Sequence, residues 1–78
     1  MNRVPITVPD LGMQSEEIKF GAWLKRPGDG VLAGEDLFEV EADKATVICE
    51  AEVSGILAET TVNDGLVHTG DVIGHIDA

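Results

Sequence analysis

Apolar and polar residues alternate in short runs along this chain, and no run keeps the three-to-four spacing that would bury one face of a helix. Val4-Pro5-Ile6-Thr7-Val8 alternates and stops at Pro9-Asp10-Leu11-Gly12, which predicts a strand over 4–8 and a loop over 11–17. A second strand is predicted over 18–24, closed by Lys25-Arg26-Pro27-Gly28-Asp29-Gly30, a dense cluster of turn formers. Strands over 37–41 and 45–53 flank Ala42-Asp43-Lys44. In the second of these, Ala45, Val47, Cys49, Ala51 and Val53 share one face while Thr46, Ile48, Glu50 and Glu52 share the other. That is the pattern of a half-buried antiparallel strand, and it makes Cys49 a core residue.

An internal repeat organises these elements. Val31-x-x-Gly34-x-x-Leu37-x-x-Val40 recurs, displaced by 36 positions, as Val67-x-x-Gly70-x-x-Ile73-x-x-Ile76. Gly21-Ala22-Trp23 and Gly55-Ile56-Leu57 lie upstream of the two copies, each followed by a turn region, 27–30 and 63–65. A spacing of three can suggest a helix, but the glycine in each copy and the β-branched content argue for strand, tight turn, strand. The expected architecture is all-β: a flattened barrel or sandwich of two four-stranded antiparallel sheets with quasi-two-fold symmetry. Under that symmetry Lys44 follows the first copy, while the matching place after the second is His75-Ile76-Asp77-Ala78. The lysine and the chain termini should therefore occupy opposite ends of the domain.

Composition narrows the chemistry. The 78 residues suffice for one compact domain, and aromatics are so few that the core must be aliphatic around Phe20, Trp23 and Phe38. A formal charge of −10, spread along the chain, lacks the clustered cations that nucleic acid requires. Cys49 is the only cysteine, so an intrachain disulfide, a Cys-x-x-Cys motif and a thiolate metal cage are excluded. Any dithiol chemistry would need a cofactor. The first residues lack the apolar core of a signal peptide, and no stretch approaches the ~20 apolar residues of a membrane-spanning helix. A reducing aqueous compartment is expected, the cytoplasm or, in a eukaryote, the mitochondrial matrix.

The candidate for special chemistry is Lys44. The centre Ala42-Asp43-Lys44-Ala45 has no Gly or Asn, which predicts a type I turn with the lysine at its apex. Glu39, Glu41, Asp43 and Glu50 are expected to surround it and keep a free amine protonated, against Schiff-base or general-base use. On the residues alone, an ordinary solvated turn lysine is the plainer reading. His68 and His75 have neither metal-ligand nor nucleophile–base spacing, and the aspartates fall at turns, where their side chains favour local hydrogen bonds.

Resemblance to a known family changes the weight on Lys44. Val8-Pro9-Asp10-Leu11-Gly12, Trp23-Leu24-Lys25 with Gly28-Asp29, Gly34-Glu35-Asp36-Leu37 and above all Glu39-Val40-Glu41-Ala42-Asp43-Lys44-Ala45 closely resemble the lipoyl domains of 2-oxo acid dehydrogenase complexes, a barrel-sandwich hybrid fold. The resemblance implies that Lys44 carries lipoate in amide linkage, with Asp43, Ala45 and Glu41 contributing to recognition. It implies a carrier without catalysis of its own, and the termini and size of the chain lead to the expectation of an N-terminal module of a longer acyltransferase. The lipoyl dithiolane would act as a swinging arm, taking an acyl group from a thiamine-dependent decarboxylase, passing it to coenzyme A at an acyltransferase domain and being reoxidised by the flavoprotein dihydrolipoamide dehydrogenase. A lipoate ligase or lipoyl transferase would attach the group. The loop over 11–17 would contribute to recognition by the decarboxylase. No nucleic acid or membrane partner is implied, and the isolated domain should be a monomer.

The chain departs from the family at Ala42 (usually Thr or Ser), Ile18 (often Gly), Glu52 (often Pro) and the turn Asn63-Asp64-Gly65-Leu66, one residue shorter than usual. The rival readings are a biotin carrier domain, whose family resembles Met-Lys-Met where this chain has Asp43-Lys44-Ala45, and an unmodified interaction module whose acidic faces bind partners. The H protein of glycine cleavage also bears lipoate but is longer, with extra helical elements.

Overall fold

A computed structural model describes residues 2–11, 18–42 and 45–78. The centre of the expected type I turn, Asp43-Lys44, and all but Leu11 of the loop expected over 11–17 lie outside the described residues. Among the described residues eight strands are formed: β1 (Arg3–Thr7), β2 (Ile18–Trp23), β3 (Gly30–Val31), β4 (Asp36–Ala42), β5 (Ala45–Glu50), β6 (Gly55–Thr60), β7 (Leu66–Val67) and β8 (Val72–Asp77). They make two four-stranded sheets, β1-β8-β6-β3 and β5-β4-β2-β7, and every pairing is antiparallel. Advancing each strand by four places in cyclic order turns the first sheet into the second, so the fold is an all-β sandwich with the pseudo-symmetry that the repeat implies.

The match between halves extends to single hydrogen bonds. In the first half the Glu35 N–H donates to the Leu32 carbonyl and the Leu32 N–H to Glu35 Oε1; in the second, Asp71 and His68 make the same two bonds. The third residue of each turn, Gly34 or Gly70, has φ of +93° or +91°, the type II geometry that favours glycine. Each glycine N–H then crosses to a neighbouring segment, Gly34 to the Ala51 carbonyl and Gly70 to the Val8 carbonyl. Arg26-Pro27-Gly28-Asp29 repeats the turn once more, with Gly28 at φ +97° and the Arg26 N–H on Asp29 Oδ2. These contacts explain why acidic residues sit at the turns: each carboxylate accepts the first N–H of its own turn.

Register corrects one expected equivalence. Ile18 pairs with Val67 and Gly55 with Val31, so Ile18, not Gly21, is the counterpart of Gly55. Bulges occur at matching places, between Phe20 and Ala22 and between Leu57 and Glu59. Strand ends also shift slightly. The arm expected over 45–53 is strand only to Glu50, because the Ala51 N–H leaves the β4 ladder to bond the Glu35 carbonyl.

Repeat residues Val31, Leu37, Val40, Val67, Ile73 and Ile76 are all buried. The three aromatics gather at one point of the core: the Phe20 and Phe38 rings stack with centroids 6.1 Å apart, and Trp23 packs 5.4 Å from Phe20 and 5.5 Å from Phe38. Trp23 Nε1 donates to the Val62 carbonyl at 2.8 Å, tying β2 of one sheet to the segment that follows β6 of the other. Among the described residues no polar or charged side chain is buried outright.

Candidate functional site

The end of the molecule that bears Lys44 is built by four strand termini. Ala42 and Ala45 face each other as the last pair of the β4–β5 ladder, Ile18 pairs with Ala42, and Val67 pairs with Ile18. The connection between β4 and β5 is thus two residues, Asp43 and Lys44, both outside the described residues. Of the predicted recognition residues, Glu41 and Ala45 are exposed, while Ala42, between Glu41 and the connection, is buried. Ala45 stands opposite the buried Ala42 and so shares the inward face with Val47 and Cys49 as expected, but at the end of the ladder it is exposed. Cys49 is buried as expected, and burial pushes its thiol pKa up.

Glu50 does not belong to the surroundings of Lys44. It pairs with Asp36 at the far end of β5, about 17 Å along the strand from Ala45 at the rise of an extended chain. Alternation placed Glu50 on the right face, but proximity depended on strand length. Glu39 and Glu41 remain close to the tip in the ladder, opposite Ile48 and Thr46.

The opposite end holds the chain termini. Asn2 and Ala78 exchange both backbone hydrogen bonds, Asn2 N–H to the Ala78 carbonyl and the reverse. From Ala45, β5 runs about 20 Å before the bend at 51–54 delivers Gly55 beside Asp77 and Ala78, so close that a Cβ on Gly55 would strike the Asp77 carbonyl. In a molecule 36 Å long, the Ala42–Ala45 pair and the termini therefore occupy opposite ends.

Among the described residues the remaining titratable groups form no reactive constellation with this end. His75 Nδ1 lies 3.0 Å from Glu59 Oε1 on the outer face of the first sheet, without a hydrogen bond between them. His68 Nδ1 is 3.5 Å from Asp71 in a turn. Glu35 accepts the Leu32 N–H, which holds its carboxyl below the usual range, and the Lys25 ammonium at 3.4 Å adds to the effect. Among the described residues no group of His, Cys, Asp and Glu could hold a metal ion. A groove of about 350 Å³ opens between β1 and β5, lined by Ile6, Leu37, Phe38, Val47 and Cys49, with Thr7, Glu50 and Glu52 contributing its polar part.

Comparison with known proteins agrees with this geometry. A biotin/lipoyl family model, described as biotin-requiring enzyme, matches residues 4–76. The chain is 44% identical over 72 residues to the dihydrolipoyllysine-residue succinyltransferase component of the 2-oxoglutarate dehydrogenase complex of Bacillus subtilis, covering 91% of this chain and 17% of that protein. It is 34% identical over 77 residues to the component of the same name in Escherichia coli K12, covering 97% and 19%. With the mouse mitochondrial pyruvate dehydrogenase protein X component, identity is 37% over 62 residues, covering 80% and 12%. The chain thus spans less than a fifth of the length of these curated relatives. Among solved structures, the lipoyl domain of the 2-oxoglutarate dehydrogenase complex from Azotobacter vinelandii superposes with a TM-score of 0.76 at 26% identity, covering 96% of each chain.

Proposed function

The chain belongs to the biotinyl/lipoyl-attachment family, as a homologue of the lipoyl domains of 2-oxo acid dehydrogenase acyltransferases, and from that premise we propose that Lys44 carries a lipoyl group in amide linkage. Domains of this family are carriers and not themselves catalysts. The observation that carries the reading is the position of the Ala42–Ala45 pair, at the end of a rigid ladder and far from the paired termini. A lysine linked into that end can be offered to a foreign active site without disturbing the core, while the termini leave the other end available to a linker. The attached dithiolane supplies the acyl-carrying and redox chemistry, and the protein supplies its display and the choice of partners.

The donor chemistry suits an acyl amide: the side chain at position 44 is a primary amine, and the exposed Glu41 and Ala45 beside it leave room for an attaching enzyme. Within the family, Asp43-Lys44-Ala45 favours lipoate over biotin. The functional partners on this reading are a lipoate ligase or lipoyl transferase, the thiamine-dependent decarboxylase, the acyltransferase domain of the parent chain and dihydrolipoamide dehydrogenase. The relatives are several times longer than this chain, which supports a place as one module of a longer acyltransferase.

The reading is tested by incubating the domain with lipoate and a lipoate ligase, or with biotin and a biotin ligase, and measuring intact mass. Addition of one lipoyl group and no biotin is expected. Exclusive biotinylation would assign the domain to the other branch of the family, and a domain bare under both conditions would leave it an unmodified interaction module.

A further inference from the structure

Quasi-two-fold symmetry provides an internal control for what is special about one end. Behind the Ala42–Ala45 pair, Leu66, Lys19, Glu41 and Thr46 stand opposite one another in a single row across all four strands of the second sheet. All are exposed, Leu66 at 65%, and Lys19 and Glu41 lie on the face away from the buried Ile18 and Phe20. Symmetry relates this row to Gly30, Ile56, Asp77 and Arg3 at the terminal end.

The two rows differ in chemistry. At the terminal end the charges are neutralised internally, Arg3 Nε lying 3.2 Å from Asp77 Oδ1 with Glu59 Oε1 3.6 Å from the same guanidinium. At the other end Lys19 and Glu41 have no ion-pair partner among the described residues, although they stand opposite in the ladder. Leu66 adds a large apolar side chain where the terminal row has only Gly30. A hydrophobe, a cation, an anion and a hydroxyl thus stand exposed in line, the two charges without an ion-pair partner among the described residues.

Size gives a second argument. An end face 20 × 18 Å across offers on the order of 300–400 Å², against roughly 800 Å² per partner in a standard interface. An enzyme that holds this domain by the Lys44 end must extend onto a side. We infer that the enzyme attaching the lipoyl group extends along the outer face of the second sheet and reads the Leu66–Lys19–Glu41–Thr46 row, placing an apolar recess over Leu66 and a carboxylate against Lys19. In a chain of charge −10, Lys19 is a cation on the side of the domain that fixes the orientation of a partner otherwise drawn to acidic surface. This inference rests on the lipoyl reading above.

The test is the rate of lipoylation by a lipoate ligase, followed by intact mass, for the wild-type domain and the variants Leu66→Ser, Lys19→Glu and Ile56→Ser. Ile56 is the symmetry counterpart of Lys19 and is 48% exposed, so it serves as control. All three positions are exposed, and unchanged amide spectra and thermal midpoints will establish that the variants are folded. Leu66→Ser and Lys19→Glu should each lower kcat/KM about tenfold, chiefly through KM, with Ile56→Ser at the wild-type rate. Wild-type rates for both test variants, or an equal loss in Ile56→Ser, would overturn the inference while leaving the lipoyl reading intact. A wild-type domain that accepts no lipoyl group would overturn both.

Discussion

Gly34 and Gly70 sit at φ of +93° and +91°, with nothing within 4 Å of where a Cβ would be placed. Substitution there tests backbone conformation alone. Gly34→Ala should cost about 1–2 kcal/mol in urea unfolding, and a loss below a few tenths would contradict the turn geometry. Glu35, in the same turn, makes stability depend on pH. Its folded-state pKa is depressed, first by the Leu32 N–H and then by Lys25. Its contribution is therefore full above the unfolded-chain value and lost as pH falls through the folded one. The difference in thermal midpoint between wild type and Glu35→Gln should shrink on acidification below the usual glutamate range; a difference independent of pH would contradict the assignment. Turn carboxylates were readable from sequence because their bonds are local. The distance of Glu50 from Ala45 was not, because it depends on how far β5 runs before Ala51 departs from the ladder.

At the scale of elements, alternation and the repeat located the strands, and burial of Val31, Val40, Val67 and Ile76 follows from their spacing. Register was less accessible. Matching Gly21 with Gly55 rested on residue identity, whereas the ladder matches Ile18 with Gly55 because both open a strand beside the short strand of their repeat. The bulges in β2 and β6 shift the pleat within an unbroken run, which leaves no mark in the polar pattern. The aromatic cluster lies on β2 and β4 of the second sheet and is tied towards the first by the Trp23–Val62 hydrogen bond. Phe38→Ala should cost about 3–5 kcal/mol, a large share of the roughly 4–12 kcal/mol open to a domain of this length, whereas Ile48→Ala, at an exposed position opposite Glu39, should stay near 0.5 kcal/mol. Comparable denaturation midpoints for the two would mean that the core is centred elsewhere.

For the whole molecule, symmetry turns a local motif into an arrangement with two unlike ends. One closes with the Asn2–Ala78 backbone pair and the Arg3–Asp77 ion pair; the other carries the Asp43-Lys44 connection next to the exposed Leu66–Lys19–Glu41–Thr46 row. The opposition of the ends was legible in the sequence because the repeat displaces one copy against the other by half the fold. The role proposed for the lysine rests on family resemblance, since a solvated turn lysine has no physical signature that distinguishes it from a modified one. The most direct measurement is parallel lipoylation of the wild-type domain and of Lys44→Ala by a lipoate ligase, read by intact mass and peptide mapping, with Lys19 and Lys25 left in place. The account predicts one lipoyl group, on Lys44, in the wild type and none in a variant that folds with an unchanged thermal midpoint. A bare wild-type Lys44, or a lipoyl group still acquired by Lys44→Ala, would contradict it.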